Sequence, residues 1–452
     1  MKSLIKKTAI ILLCFPIFFA GCDLLEEGDS PTRESELERL MPYSQYLISY
    51  WTGTDNSRFA LQWMQQLGGV RGVHGNVDEY TLSPDYLNTV WELYYDYVFR
   101  DLSQIKNHAE ESDSRAYRGI ANILMAYSLG MMTDVFGDIP YENALSPSPP
   151  YDEQQKLIME IISLLNEGVQ DLSMVDESEG YKPGAEDDPI YEGNLDKWKR
   201  AANVIRLRYM LRIANESGNY GIFSDFDSKE LFTGNHDDML YHFEGGDKVN
   251  PHYYFENEFN NTRVGKHLID MLKETEDPRL PVYAQLNINN EYVGTGPGES
   301  NSSASNLGSD LVSEKAPVRL ISYTEQKFIE AEVYKRKGQQ PSADLAYEEA
   351  VKSSLSYYGV ADPEWEAEHA TVEDVTLEQI IEAKYIALFL QQEVWADFRR
   401  TGYPELEPYD ADDAPNEQIP RRYVYPGEQQ MNNPTHVPDD VDIYTNVWWD
   451  VE

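Results

Sequence analysis

The sequence predicts a mostly α-helical protein made of paired helices, with one loop-rich portion set between them. Three observations carry that expectation. Ile120, Ile123, Leu124, Tyr127 and Met131 recur at helical spacing, while Ala116, Ala121 and Ala126 keep the same helix slim enough to sit between others. Ser322 to Leu355 reads as two helices joined at Gly338 and Pro341, a 34-residue unit of tetratricopeptide length with alanines where the helices approach. From Phe223 to Arg319 the helical period mostly lapses, apart from a short segment around Val264 to Lys273.

At the amino terminus, Lys2, Lys6 and Lys7 precede an apolar run from Ala9 to Ala20. That run is too short for a membrane span, so residues 1–21 read as a signal peptide. Phe19-Ala20-Gly21-Cys22 resembles a bacterial lipobox, which implies lipidation at Cys22, and the acids that follow are similar to a surface-export signal of Bacteroidetes lipoproteins. Cys14 is the other cysteine and falls in the discarded segment, so disulfides and thiolate metal sites are excluded from the mature chain. Gly28, Ser30 and Pro31 lie in an acidic stretch, and residues 22–42 are assigned to a lipidated, flexible tether. No later apolar run approaches the length of a transmembrane helix.

Residues 43–222 are expected to form an amino-terminal helical scaffold. Gly68, Gly69, Gly72 and Gly75 predict a loop flanked or occupied by Trp63, His74 and Tyr80. Ser83-Pro84-Asp85 starts a helix that buries Leu87, Val90, Trp91, Tyr94, Val98, Leu102 and Ile105 and pairs with the Ala116 helix. Gly137 and Pro140 stop that second helix. Beyond a proline linker at 146–150, Ile158, Ile161, Leu165 and Leu172 mark a third, and Trp198 opens a fourth. Its Arg200, Arg206, Arg208 and Arg212 are expected to pair with internal carboxylates.

Residues 223–320 are assigned to a loop-rich ligand-binding insertion. Pro251-His252-Tyr253-Tyr254-Phe255 and Tyr292 are the leading contact candidates, because binding side chains concentrate on loops carried by a rigid frame. Trp63, His74 and Tyr80 are added as flanking candidates. Residues 321–452 hold the carboxy-terminal helix pairs and tail. There Thr376-Leu377-Glu378-Gln379 is a capping box, and one helix is expected to run from it through Trp395-Ala396-Asp397-Phe398-Arg399-Arg400 to Gly402.

Several passages together resemble one family. The alanine-rich helix carries Ala126-Tyr127 and Thr133-Asp134 before Gly137-Asp138-Ile139-Pro140-Tyr141. Tyr191-Glu192-Gly193-Asn194 leads to Trp198, with Asn194 where Asp is usual, and Asp277-Pro278-Arg279-Leu280 and Tyr292-Val293-Gly294 follow in order. Phe398-Arg399-Arg400-Thr401-Gly402-Tyr403-Pro404 and Pro420-Arg421-Arg422-Tyr423-Val424-Tyr425-Pro426 are the most specific pair. The chain thus resembles the RagB/SusD family of Bacteroidetes nutrient-uptake lipoproteins, most nearly its second SusD-like subfamily. The resemblance implies degenerate tetratricopeptide-type helix pairs and a lipid-anchored outer-membrane location exposed at the cell surface. It implies capture of a glycan or peptide, with a SusC-like TonB-dependent transporter as partner and no bond broken.

The charge balance fits an exposed protein. A net charge of −42, made more negative by loss of the lysine-bearing signal, repels nucleic acid and anionic membrane surfaces. The 32 tyrosines and 8 tryptophans supply rings with a polar edge, suited to sugar stacking and to interfaces. No zinc-protease, nucleophile-elbow, P-loop or dinucleotide motif occurs, so no catalytic group, cofactor or metal is assigned. His236 and His242 read as a solvated loop, and the clusters Asp410, Asp412, Asp413 and Asp439, Asp440, Asp442 lack the EF-hand pattern, which leaves only a loosely held calcium ion open there. Among 79 carboxylates some pair must fall at glycosidase spacing by chance, so a surface glycoside hydrolase stays open, as does a protein-binding helical scaffold.

Overall fold

The computed structural model describes residues 32–176, 181–224, 230–410 and 418–451. Cys22, Asp412 and Asp413 lie outside the described residues. The first helix, Arg33–Thr52, begins inside the segment expected to be tether. Leu37, Leu40, Met41 and Ile48 repeat at helical spacing and are all buried, and Pro42 is accommodated within the helix. The charged residues between them had masked that stripe. Asp55–Trp63 follows, and the glycine-rich stretch expected as a loop is instead a strand, Leu67–Gly69, and a short helix, Gly72–Asp78.

Ser83-Pro84 does open a helical run, with Pro84 at its first position. It continues through Asn88–Glu92, a wider π-helical segment at Leu93–Phe99, and Arg100–Glu111. It packs on the central helix, Arg115–Phe136, which ends where Gly137 takes φ +76°. By length and mean hydropathy (1.2) this central helix would suffice to span a bilayer, contrary to the expectation that no such run exists. Its apolar window is buried inside the protein, packed against neighbouring helices. Gly130 within it lets Tyr209 of the Leu195–Ser217 helix approach the backbone, and Gly119 and Gly168 do the same for the Gln154–Ser173 helix.

The insertion is more ordered than its sequence suggested. The helix expected around Val264 to Lys273 forms as Lys266–Glu274, Pro251–Glu258 is an additional helix, and of two antiparallel strand pairs in the region one ties it to the scaffold. Leu67–Gly69 pairs with Thr262–Val264, and Met239–Tyr241 with Val318–Ile321. Tyr323–Arg336 and Gln340–Tyr358 form the anticipated helix pair, with Phe328, Ala331, Ala346, Ala350 and Leu355 buried between them. The described residues from Arg33 onward group as one compact unit.

The capping box at Thr376 forms in both directions, but the helix it starts stops at Ala387 and a new one runs from Glu393 to Thr401. The break is tertiary in origin. Leu390 takes φ +65° while its N–H donates to Gln66 Oε1 (3.1 Å), and Gln66 Nε2 donates to the Tyr385 carbonyl (2.7 Å). Beside this break lies a buried network of ion pairs. Arg212 bonds Glu393 and Asp134, Arg208 bonds Glu325, Arg400 bonds Glu332 and Asp397, and Lys384 pairs with Asp397 at 2.7 Å. Together they bind the central helix, the Leu195 helix and the carboxy-terminal helices to one another. The closing Pro420–Pro426 motif is likewise structural: Tyr423 Oη donates to the Asn56 carbonyl (2.9 Å), Tyr425 Oη to that of Asp138 (2.9 Å), and Trp395 Nε1 to that of Pro420 (2.9 Å).

Candidate ligand-binding surface

Tyr253, Tyr254 and Phe255 lie together on the Pro251–Glu258 helix. Asn250 caps it, its Oδ1 accepting from Tyr253 N (3.1 Å) and its Nδ2 donating to the Ala316 carbonyl (2.9 Å), while Pro251 fills the first position. No apolar stripe announces a helix here because Tyr253 and Tyr254 are part-exposed and Phe255 packs on the Arg58 guanidinium rather than in an apolar core. Tyr253, Tyr254 and Phe255 are half-buried, and Phe259, just beyond the helix, is 48% exposed. Tyr254 lies 5.6 Å from Phe255 and 6.0 Å from Phe259, ring centre to ring centre, and Phe255 lies 5.8 Å from Phe259.

The underside of this helix is fixed. The Arg58 guanidinium sits 4.2 Å from the centre of the Phe255 ring and donates to Asn261 Oδ1 (3.1 Å) and Thr262 Oγ1 (3.3 Å). His252 is buried beside it, and burial followed by the Arg58 charge lowers its pKa to about 3, so the imidazole is neutral. At the outer end, Tyr253 Oη donates to Glu314 Oε1 (3.0 Å). Exposed rings on a rigid mount can stack on a sugar face or an apolar side chain with little ordering entropy lost.

Tyr292 is half-buried on a separate loop, and among the described residues no ring contact joins it to the other three. Trp63, His74 and Tyr80 are not accessible to a ligand. Trp63 is fully buried, packs edge-on against Trp395 (5.2 Å) and Tyr423 (5.4 Å), and donates to the Val77 carbonyl. His74 is buried with its ring nitrogens on Gln62 Oε1 (2.6 Å) and Asp55 (3.3 Å), and burial with the nearby Arg58 lowers its pKa. The Tyr80 hydroxyl accepts from Tyr409 N (3.0 Å). Their neighbourhood in sequence to glycines had suggested a loop, and the strand and helix formed there turn them inward.

Phe259 and Arg58 were not singled out from sequence. The i, i+4 spacing of Phe255 and Phe259 was the available signal, whereas Arg58 is 203 residues away from its partner Asn261 and carried none. Among the described residues no three acid, histidine or cysteine groups converge as metal ligands. His236 and His242 are exposed, and Asp442 serves a local turn with Tyr444 and Thr445.

The SusD-like family model described as starch-binding and associating with the outer membrane matches residues 30–426. No curated protein sequence matches significantly. Among solved structures, a chitin-binding protein superposes with TM-score 0.78 at 24% identity, covering 94% of this chain and all of its own. A chitin-binding SusD homologue from Flavobacterium johnsoniae gives 0.76 at 22%, covering 93% and 98%. A SusD/RagB family protein from Bacteroides thetaiotaomicron gives 0.78 at 22%, covering 93% and 99%. At these identities the likeness is one of fold. The family model, which spans nearly the whole chain, settles membership: this protein belongs to the SusD-like family.

Proposed function

We propose that this protein is a nutrient-binding lipoprotein, held at the outer membrane through an acylated Cys22 and exposed at the cell surface. It captures a glycan or oligopeptide and passes it to a SusC-like TonB-dependent transporter without breaking a bond. The observation that carries this reading is the set of half-exposed rings at Tyr253, Tyr254, Phe255 and Phe259, mounted on a helix whose underside is pinned by Arg58. The starch-binding description of the family and the chitin-binding names of two solved relatives favour a glycan over a peptide. Tyr292 serves as a flanking contact from its own loop.

Membrane attachment and partnership are tested in the native organism. Labelled palmitate should enter the wild-type chain and not Cys22→Ala, and the wild-type chain extracted in mild detergent should carry the transporter with it. A wild-type chain that incorporates no lipid, or that never co-purifies with a TonB-dependent transporter, contradicts this assignment.

A further inference from the structure

A cleft on the molecule lies apart from the aromatic helix. It lies between the Lys266–Glu274 helix and the carboxy-terminal helix pair, encloses about 430 Å³, and has the size of a small-ligand pocket. Its floor is apolar, from Met271, Tyr347 and Ile386, above the buried Asp277–Arg279 pair, whose carboxylate and guanidinium meet at 2.9 and 2.5 Å. One wall is Trp365, half-exposed on the surface helix Pro363–His369 and held by its Nε1 donating to the Thr275 carbonyl (2.8 Å). The rim carries Glu274, Glu368 and Glu382.

The charges on this cleft do not cancel. Arg279 is neutralised by Asp277, so Glu274, Glu368 and Glu382 have no unpaired Lys or Arg beside them among the lining residues. Burial first, then Glu378, Glu405 and Glu274, raise the pKa of Glu382. A metal ion does not fit, because these groups do not converge as ligands. His267 also lines the cleft; its Nε2 is buried without a hydrogen-bond partner, and burial lowers its pKa.

We propose that this cleft is a second saccharide subsite, selective for a hexosamine unit bearing a free, protonated amine. The sugar ring lies against Trp365, and the ammonium takes the rim carboxylates. A lysine side chain offers the same ammonium, but its aliphatic stem has no ring face to set against Trp365. The inference rests on the glycan-capture reading and adds a site to it.

The test is calorimetric titration of the full mature protein with a glucosamine tetramer, its fully N-acetylated counterpart and a lysine tetrapeptide. The glucosamine tetramer should bind at least about tenfold more tightly than either of the others. Trp365→Ala and Glu382→Gln should each weaken it about tenfold. Both residues are at least partly exposed, and unchanged melting temperatures verify that the variants fold. Equal binding of acetylated and free-amine tetramers, undiminished affinity in both variants, or tighter binding of the lysine peptide overturns the proposal. If one of these outcomes occurs while the acetylated tetramer still binds and responds to Tyr254→Ala, the second subsite alone has failed; if no saccharide binds at all, the capture reading fails with it.

Discussion

Arg212 places its two terminal nitrogens on the two carboxylate oxygens of Glu393, at 2.8 and 2.6 Å, with both side chains buried. The pair joins the Leu195 helix to the helix that restarts after the break at Leu390. Arg212→Met would leave Glu393 with the more distant Arg208 and Lys384, and Asp134 without its guanidinium. Removal of one partner of a buried pair costs roughly 3–5 kcal/mol. Urea unfolding should show that loss for Arg212→Met, and less than the summed single losses for Arg212→Met with Glu393→Leu.

The same network sets the acid limit of the fold. Burial alone would raise Glu332, but the charge and hydrogen bonds of Arg400, with Arg336 and Lys384, outweigh it and bring the pKa to about 2. Glu393 is likewise brought to about 2 against its burial, chiefly by Arg212 and Arg208. A carboxylate whose folded pKa lies below its unfolded value stabilises fully above the unfolded pKa, near 4.5, and loses that contribution as pH falls towards 2. Stability measured between pH 5 and pH 2 should therefore fall steeply, and Glu332→Gln should flatten the slope while lowering stability at neutral pH.

Trp63 belongs to the core with Trp395 and Tyr423, so its replacement should affect folding and not recognition. Trp63→Ala should cost about 3–5 kcal/mol in urea unfolding. Where the variant remains folded, its saccharide affinity should match wild type.

Gly130 faces the Tyr209 ring so closely that an added methyl group would overlap it. Tyr209 is fully buried and cannot move aside. Gly130→Ala should destabilise by roughly 1–3 kcal/mol despite the better helix propensity of alanine, a loss read from the thermal midpoint.

The parts of the fold legible from sequence were those whose cause is local. The central helix, the Thr376 capping box and the Tyr323–Tyr358 helix pair carry apolar spacing, caps and stops in their own residues. The missed elements owe their form to distant partners. The stop at Ala387 depends on Gln66, the Leu67–Gly69 strand on its pairing with Thr262–Val264, and the Arg33 helix on burial of a stripe diluted by charge. Tyr253, Tyr254 and Phe255 were legible as a ring cluster yet not as a helix, since part-exposed rings leave no core-facing period. Trp63, His74 and Tyr80 looked accessible only because glycines surround them in sequence. The cleft at Trp365 draws its walls from residues spread between 267 and 386, a separation no local motif records.

The most direct measurement of the central claim is titration of a saccharide panel into wild type and the Tyr253→Ala, Tyr254→Ala, Phe259→Ala triple variant, with reducing ends assayed in the same samples. The account predicts saturable binding by wild type, a loss of at least about tenfold in the folded triple variant, and no new reducing ends. Undiminished affinity in that variant, or release of shortened saccharides by wild type, would contradict it.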